Sequence, residues 1–128
     1  MTTNELTRTI LNAALDRKAH DLVLLRVDKV TSLADYYIIC TGTSTTQLRA
    51  IADAADEAVS KAYGVDPQSV EGYRGSPWVL MDYGTVILHV FKEDTRRFYD
   101  LERLWADGTR VDVEEFLAAG DAATAEKE

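Results

Sequence analysis

Gly42-Thr43-Ser44, which leads into a strongly helical stretch, is the pattern in this sequence that most invites a chemical reading. A glycine-bearing turn at a helix start aims backbone N–H groups at an anion, so it can hold a phosphate. Metal-assisted chemistry on that phosphate would need two or more converging oxygen ligands. The next acids, Asp53 and Asp56, are three apart on the long helix and face water by its apolar pattern. Asp112-Val113-Glu114 has the alternate spacing of a strand, but lies near the chain end. The Ser44 hydroxyl has no histidine or lysine beside it to act as a base, and a helix cap accounts for it. His89 and His20 are far apart and lack metal-ligand spacing, so His89 reads as a hydrogen-bonded strand histidine. Cys40, the one cysteine, lies inside an apolar run and reads as core packing. No catalytic residue, metal or cofactor is expected.

The chain that must position these residues has 128 of them, 46% hydrophobic and 28% charged, with a formal net charge of -8. That suits one domain with a real core. No apolar run reaches membrane-spanning length, and the N-terminal residues carry no signal or transit peptide pattern. A lone cysteine fits a reducing, cytoplasmic setting. The acidic balance excludes a protein that grips DNA or RNA mainly through phosphates and favours a basic partner. Residues 107–128 hold -5 of the charge and residues 1–106 only -3. The chain is therefore expected to divide into an α/β domain over 1–106 and an acidic extension over 107–128, frayed at its end.

Periodicity gives the coarse order. Thr2 and Glu5 have capping-box spacing before a helix over residues 3–19. Leu22–Val27 and Tyr36–Cys40 read as strands, the second covered on both faces. Ser44 and Gln47 form another capping box, Leu48 to Tyr63 keeps one apolar stripe, and Gly64 stops that helix. Val70–Tyr73 reads as a short edge strand. A hairpin pairs Trp78–Asp82 with Thr85–Phe91 around Tyr83-Gly84. Asp94 or Thr95 caps a last helix through Trp105, on which Arg96, Arg97 and Arg103 are expected to pair with interleaved acids. The order predicts a single α/β domain with a mixed β-sheet flanked by helices.

Side chains alternate along strands, which sorts the hairpin into two faces. With Asp82 opposite Thr85, Leu80 opposes Ile87 and Trp78 opposes His89. Val79, Met81, Val86, Leu88 and Val90 form an aliphatic core face. Trp78, Leu80, Asp82, Thr85, Ile87, His89 and Phe91 form the other, where large apolar groups sit beside Asp and His without Lys or Arg. That mixture fits a partner interface with Trp78 as anchor, or a face covered by another helix of the same domain.

Asp35-Tyr36-Tyr37-Ile38-Ile39-Cys40-Thr41-Gly42-Thr43-Ser44 with Gln47 resembles the first signature of the iojap family, the ribosomal silencing factors. Glu71-Gly72, Trp78 to Gly84 and His89-Val90-Phe91 resemble the second, and Arg96 to Trp105 the third. The match spans about residues 4–106; Thr85 departs from the acid often found there, and the segment after Asp107 lies outside it. The resemblance, to a bacterial-type member, implies a nucleotidyltransferase-like fold and a non-enzymatic task. Family members bind the large ribosomal subunit through ribosomal protein L-fourteen and block joining of the small subunit when nutrients are short. They tend to be homodimers, and organellar relatives assist large-subunit assembly. Carried onto this chain, the resemblance implies an interface of Trp78, Leu80, Asp82, Tyr99, Leu101 and Glu102. Asp82 and Glu102 would accept charge-assisted hydrogen bonds from partner Arg or Lys. The alternatives are a large-subunit assembly factor and a nucleotide-binding relative of the nucleotidyltransferases; for the latter, the paired carboxylates after the Gly-Ser turn are missing.

Overall fold

Seven residues of unbroken burial, Tyr36–Gly42, form the strand around which the domain is built. In the computed structural model, which describes residues 1–100, 103 and 108–119 (Tyr99 by its backbone alone), the elements follow in this order. They are α1 (Thr3–Asp16), β1 (His20–Arg26), β2 (Tyr36–Gly42), α2 (Thr45–Tyr63), β3 (Ser69–Glu71), β4 (Trp78–Asp82), β5 (Val86–Lys92), α3 (Glu93–Tyr99) and β6 (Thr109–Val111). A further helix, α4, covers residues 113–119. The sheet has six strands in the order β3-β4-β5-β2-β1-β6. The central pair β2–β5 is parallel and the other pairs are antiparallel, so the sheet is mixed as expected.

A parallel pair needs a long crossover, which α2, β3 and β4 supply. Helices α1 and α2 pack on one sheet face. Leu6, Ile10, Leu11, Leu48, Ile51, Ala55 and Val59 there meet Leu24, Ile38, Cys40, Met81, Leu88 and Val90. Alanines at 52 and 55 let α2 lie close to the strands. The opposite face carries a second cluster of Val23, Leu25, Val27, Tyr37, Ile39, Ile87 and Phe91.

The helix starts follow their caps. Thr2 Oγ1 accepts from Glu5 N–H at 3.1 Å and Glu5 Oε1 from Thr2 N–H at 2.7 Å, the reciprocal box predicted. Ser44 completes only half of the second box. Its Oγ accepts from Gln47 N–H at 3.1 Å, whereas the Gln47 side-chain Oε1 accepts from Thr43 N–H at 2.6 Å. Gly64 ends α2 at φ +66.

Four expectations need correction. α1 stops at Asp16 rather than 19, because Lys18 turns left-handed (φ +61) and the Arg17 and Ala19 N–H groups fold back to Ala14. The hairpin pairs Trp78 with Phe91, Leu80 with His89 and Asp82 with Ile87. Its turn is Gly84-Thr85, since Gly84 takes φ +89 and Tyr83 N–H donates to Val86 O at 2.9 Å. The slip is two residues, so both faces keep their members. α3 begins at Glu93, with Lys92 at the N-cap position and no side-chain cap, and Asp100 ends it in the left-handed region at φ 47. The expected run to Trp105 falls partly outside the described residues. Finally, the folded body continues past residue 106: β6 pairs with β1, and Phe116 of α4 packs edge-on against Tyr36 at 5.8 Å. The expected frayed end, residues 120–128, lies outside the described residues.

Cys40 is fully buried in β2, and that burial pushes its thiol up to about 12. A thiol so placed forms no thiolate at neutral pH. Native protein should therefore resist a disulfide-exchange reagent for hours at pH 8, while the protein in denaturant reacts to completion at one thiol per chain, read by absorbance.

Candidate functional site

Strand β4 places Trp78, Leu80 and Asp82 on one face by simple alternation, and all three are half-buried. They do not stand on a bare surface. The second cluster lies beneath, with Phe91 fully buried, His89 at 4% exposure and Ile87 at 9%. Trp78 and Leu80 pack on its rim. The Trp78 ring stacks on Phe91 with centroids 4.8 Å apart and planes 29° apart. Its Nε1–H donates to His89 Nδ1 at 3.2 Å. Tyr37 meets the same imidazole edge-on at 5.0 Å. His89 is therefore a hydrogen-bonded strand histidine, but its partner is diagonal to it rather than opposite.

The backbone of Trp78 is held from the edge of the sheet. Ser76 Oγ accepts from Trp78 N–H at 3.2 Å and donates to Trp78 O at 3.1 Å. Lys92 N–H donates to Pro77 O at 2.9 Å, closing the open end of the hairpin. Gly72, at φ +76, lies against the Trp78 carbonyl oxygen, where any Cβ would collide. Tyr73 then hydrogen-bonds Asp53 of α2 through its hydroxyl at 2.8 Å and 3.0 Å. Asp53 faces outward as its spacing suggested, yet it anchors this loop. Asp82 accepts from Gly84 N–H through Oδ1 at 2.7 Å, so the carboxylate also shapes the turn. Burial, with the charge of Asp82 second, raises the Tyr37 phenol above its ordinary value.

Of the remaining expected interface residues, Tyr99 ends α3, and its side chain, like Leu101 and Glu102, lies outside the described residues. Arg97 makes the expected pairs within its helix, with Glu93 at 3.6 Å and Asp94 at 3.3 Å. Arg96 also reaches beyond its helix: its Nη1 donates to Asp21 O at 2.6 Å and Thr41 Oγ1 at 2.8 Å, fastening α3 over the bulge in β1. Nothing in the local pattern of α3 announces that long-range contact.

At the Gly42-Thr43-Ser44 turn, the chain's own Gln47 occupies donors that a phosphate would use. Its Oε1 takes both the Thr43 N–H and the Thr43 hydroxyl, the latter at 2.9 Å. Its Nε2 reaches the Arg17 and Lys18 carbonyls at 3.2 Å and 3.3 Å, satisfying the end of α1. Asp112 and Glu114 do not share a strand face, because Asp112 Oδ1 caps α4 through Glu115 N–H at 3.0 Å. Among the described residues, no group of three or more His, Cys, Asp or Glu is placed to hold a metal ion, and no helix is long and apolar enough to cross a membrane.

The described residues form a mixed-sheet α/β module with a buttressed tryptophan on one strand face. Comparison with known proteins gives that module a family. A family model described as ribosomal silencing factor during starvation matches residues 1–128. The ribosomal silencing factor RsfS of Halalkalibacterium halodurans is 39% identical over 114 residues, covering 89% of this chain and 97% of that protein. The mouse protein named mitochondrial assembly of ribosomal large subunit protein 1 is 31% identical over 93 residues, covering 68% of this chain and 39% of that one. A crystal structure of a Chromobacterium violaceum protein superposes with a TM-score of 0.80 at 35% identity, covering 88% of this chain and 92% of that one. The chain belongs to the ribosomal silencing factor (iojap) family. The family match includes the segment after Asp107, which the resemblance in the sequence alone had left out.

Two measurements follow from this geometry. Gly72→Ala should lose about 1–3 kcal/mol of unfolding free energy in urea, because the substitution strains a left-handed residue and drives a methyl into the Trp78 carbonyl. Burial also lowers the His89 imidazole to about 4. The unfolded chain, with an ordinary histidine near 6.5, then binds the proton first as pH falls, so stability drops from about pH 6.5 towards about 4. Wild type should lose about 2 kcal/mol more than His89→Gln between pH 7 and pH 5; equal slopes in urea titrations would contradict a buried neutral imidazole.

Proposed function

We propose that this chain is a cytoplasmic ribosomal silencing factor. It binds the large ribosomal subunit through ribosomal protein L-fourteen, sterically blocks association with the small subunit, and represses translation under nutrient limitation. Family membership supports the class of task. The observation that carries the reading is the β4 face, where Trp78 is stacked on Phe91 and hydrogen-bonded from beneath, with Leu80 and Asp82 beside it. A large ring held in one orientation loses little freedom on binding, which is what an interface anchor requires. Asp82 supplies a carboxylate for partner Arg or Lys, and Tyr99, Leu101 and Glu102 complete the proposed surface. Ribosomal proteins are generally basic, so the acidic chain gains steering toward one.

In this reading the protein works by occupying a surface and turns over no substrate. The engaged Gly42-Thr43-Ser44 turn supports that reading, since its donors already serve the fold. In the same reading the free protein is a homodimer. A second reading, assistance in large-subunit assembly, is favoured by the name of the mouse relative.

Capture of L-fourteen and co-sedimentation with large subunits test the proposal. Trp78→Glu should bind at least about tenfold more weakly while its circular dichroism stays native. Asp82→Asn keeps an oxygen for the Gly84 N–H, and should lose a smaller factor together with part of the salt dependence. Equal capture by folded Trp78→Glu and wild type would sink the interface. Silencing further requires that added protein stop mature subunits from joining. Unhindered joining, with large-subunit precursors accumulating in cells that lack the protein, would indicate assembly instead.

A further inference from the structure

Phe91 and His89 both restrain the Trp78 ring, and the polar neighbour is unusual. An indole N–H can only donate, so His89 Nδ1 is the acceptor of the 3.2 Å bond and the proton of the neutral imidazole resides on Nε2. That Nε2 is buried and, among the described residues, has no hydrogen-bond partner. The imidazole is otherwise enclosed by aromatic rings. Tyr37 stands edge-on at 5.0 Å, and Phe91 lies nearly parallel with centroids 6.2 Å apart and planes 10° apart. An orphaned N–H in such surroundings is costly, whereas an apolar ring of the same shape would leave nothing unsatisfied. For packing alone, phenylalanine would serve this position better than histidine. What phenylalanine cannot supply is the Nδ1 lone pair beneath the Trp78 indole.

We propose that His89 is a positioning residue for the partner-binding face: through Nδ1 it fixes the Trp78 indole in the orientation that meets the partner. Stacking on Phe91 sets the plane of the indole but lets it slide and turn within that plane. The hydrogen bond removes that freedom by pinning one edge. The indole is thus ordered before the partner arrives, and the ordering cost is not taken from the binding energy. The inference rests on Trp78 being the anchor proposed above, and it concerns a different residue and a different observable.

The test uses full-length protein carrying Trp105→Phe, which leaves Trp78 as the single indole in NMR spectra. In this background the Trp78 Nε1–H should give one sharp, downfield resonance that exchanges slowly with solvent. His89→Phe keeps a buried ring and removes the acceptor. The indole proton should then exchange about tenfold faster, and binding to purified large subunits should weaken by about tenfold. His89→Asn returns an acceptor oxygen near the Nδ1 position and should recover both signals. In a Trp78→Ala background, His89→Phe should weaken binding no further. Unchanged indole exchange or unchanged binding in His89→Phe would overturn the inference, as would an equal loss in the Trp78→Ala background. Should His89→Phe fail to fold, the wild-type spectrum alone decides, because an indole proton exchanging as fast as a free indole excludes the bond. Wild-type binding by Trp78→Ala would instead overturn the anchor reading itself.

Discussion

The parallel pairing of β2 with β5, seven residues long from Tyr36–Val86 to Gly42–Lys92, is the constraint from which the rest of the structure follows. Parallel strands are buried on both faces, and their connection must leave the sheet and return. Those two demands account for most of the architecture. The crossover becomes α2, whose small residues let it settle on one face beside α1. The return path brings β3 and β4 in along the free side of β5. Because β4 docks there, its outward alternation places Trp78, Leu80 and Asp82 over the second face, where Phe91 and His89 of β5 already stand. The proposed binding surface is thus a by-product of how the central pair is closed. Asp35 and Tyr36 N–H groups both donate to Thr85 O, which ties the start of β2 to the hairpin turn and sets the register of the whole arrangement.

Much of this was legible in the sequence because the relevant signals are local. The run Tyr36–Cys40 has no polar alternation, so burial on both faces could be read directly. The Ser44, Gln47 and Gly64 signals bracket α2, and its stripe points one way. A two-residue turn at Tyr83-Gly84 sets the hairpin two residues out of register but keeps its faces, since strand side chains repeat every second residue. What escaped depends on distant partners. Thr109-Arg110-Val111 has no strand pattern of its own and is extended because β1 offers it an edge. Arg96 sits among acids that suggest helical pairs, and it also reaches the distant Asp21 carbonyl at the β1 bulge.

The candidate site divides the same way. Alternation alone gathers Trp78, Leu80 and Asp82. Alternation already sets Trp78 on one face with His89, but which of them donates, and that the bond runs diagonally, follows only from the folded register. Gly72 carries no sequence signal beyond being glycine, and its close approach to the Trp78 carbonyl exists only once β3 has folded onto β4. Around Trp78 the structure uses backbone contacts from Ser76 and Gly72, a ring from Phe91 and a lone pair from His89. The loop carrying Gly72 is in turn tied to α2 through Tyr73 and Asp53. The face is in this way tied to the helical layer on the other side of the sheet.

The sheet also ends in a particular way. Its two outermost strands, β3 and β6, are each three residues long. β3 is exposed throughout its length, and Val70 is its one aliphatic member. A flat, long, apolar border would recruit any passing extended chain, and a cell engaged in translation is crowded with those. With so few unpaired amides on either border, this molecule offers little template for such growth. A protein proposed to bind ribosomal subunits is in this way guarded against edge-to-edge growth.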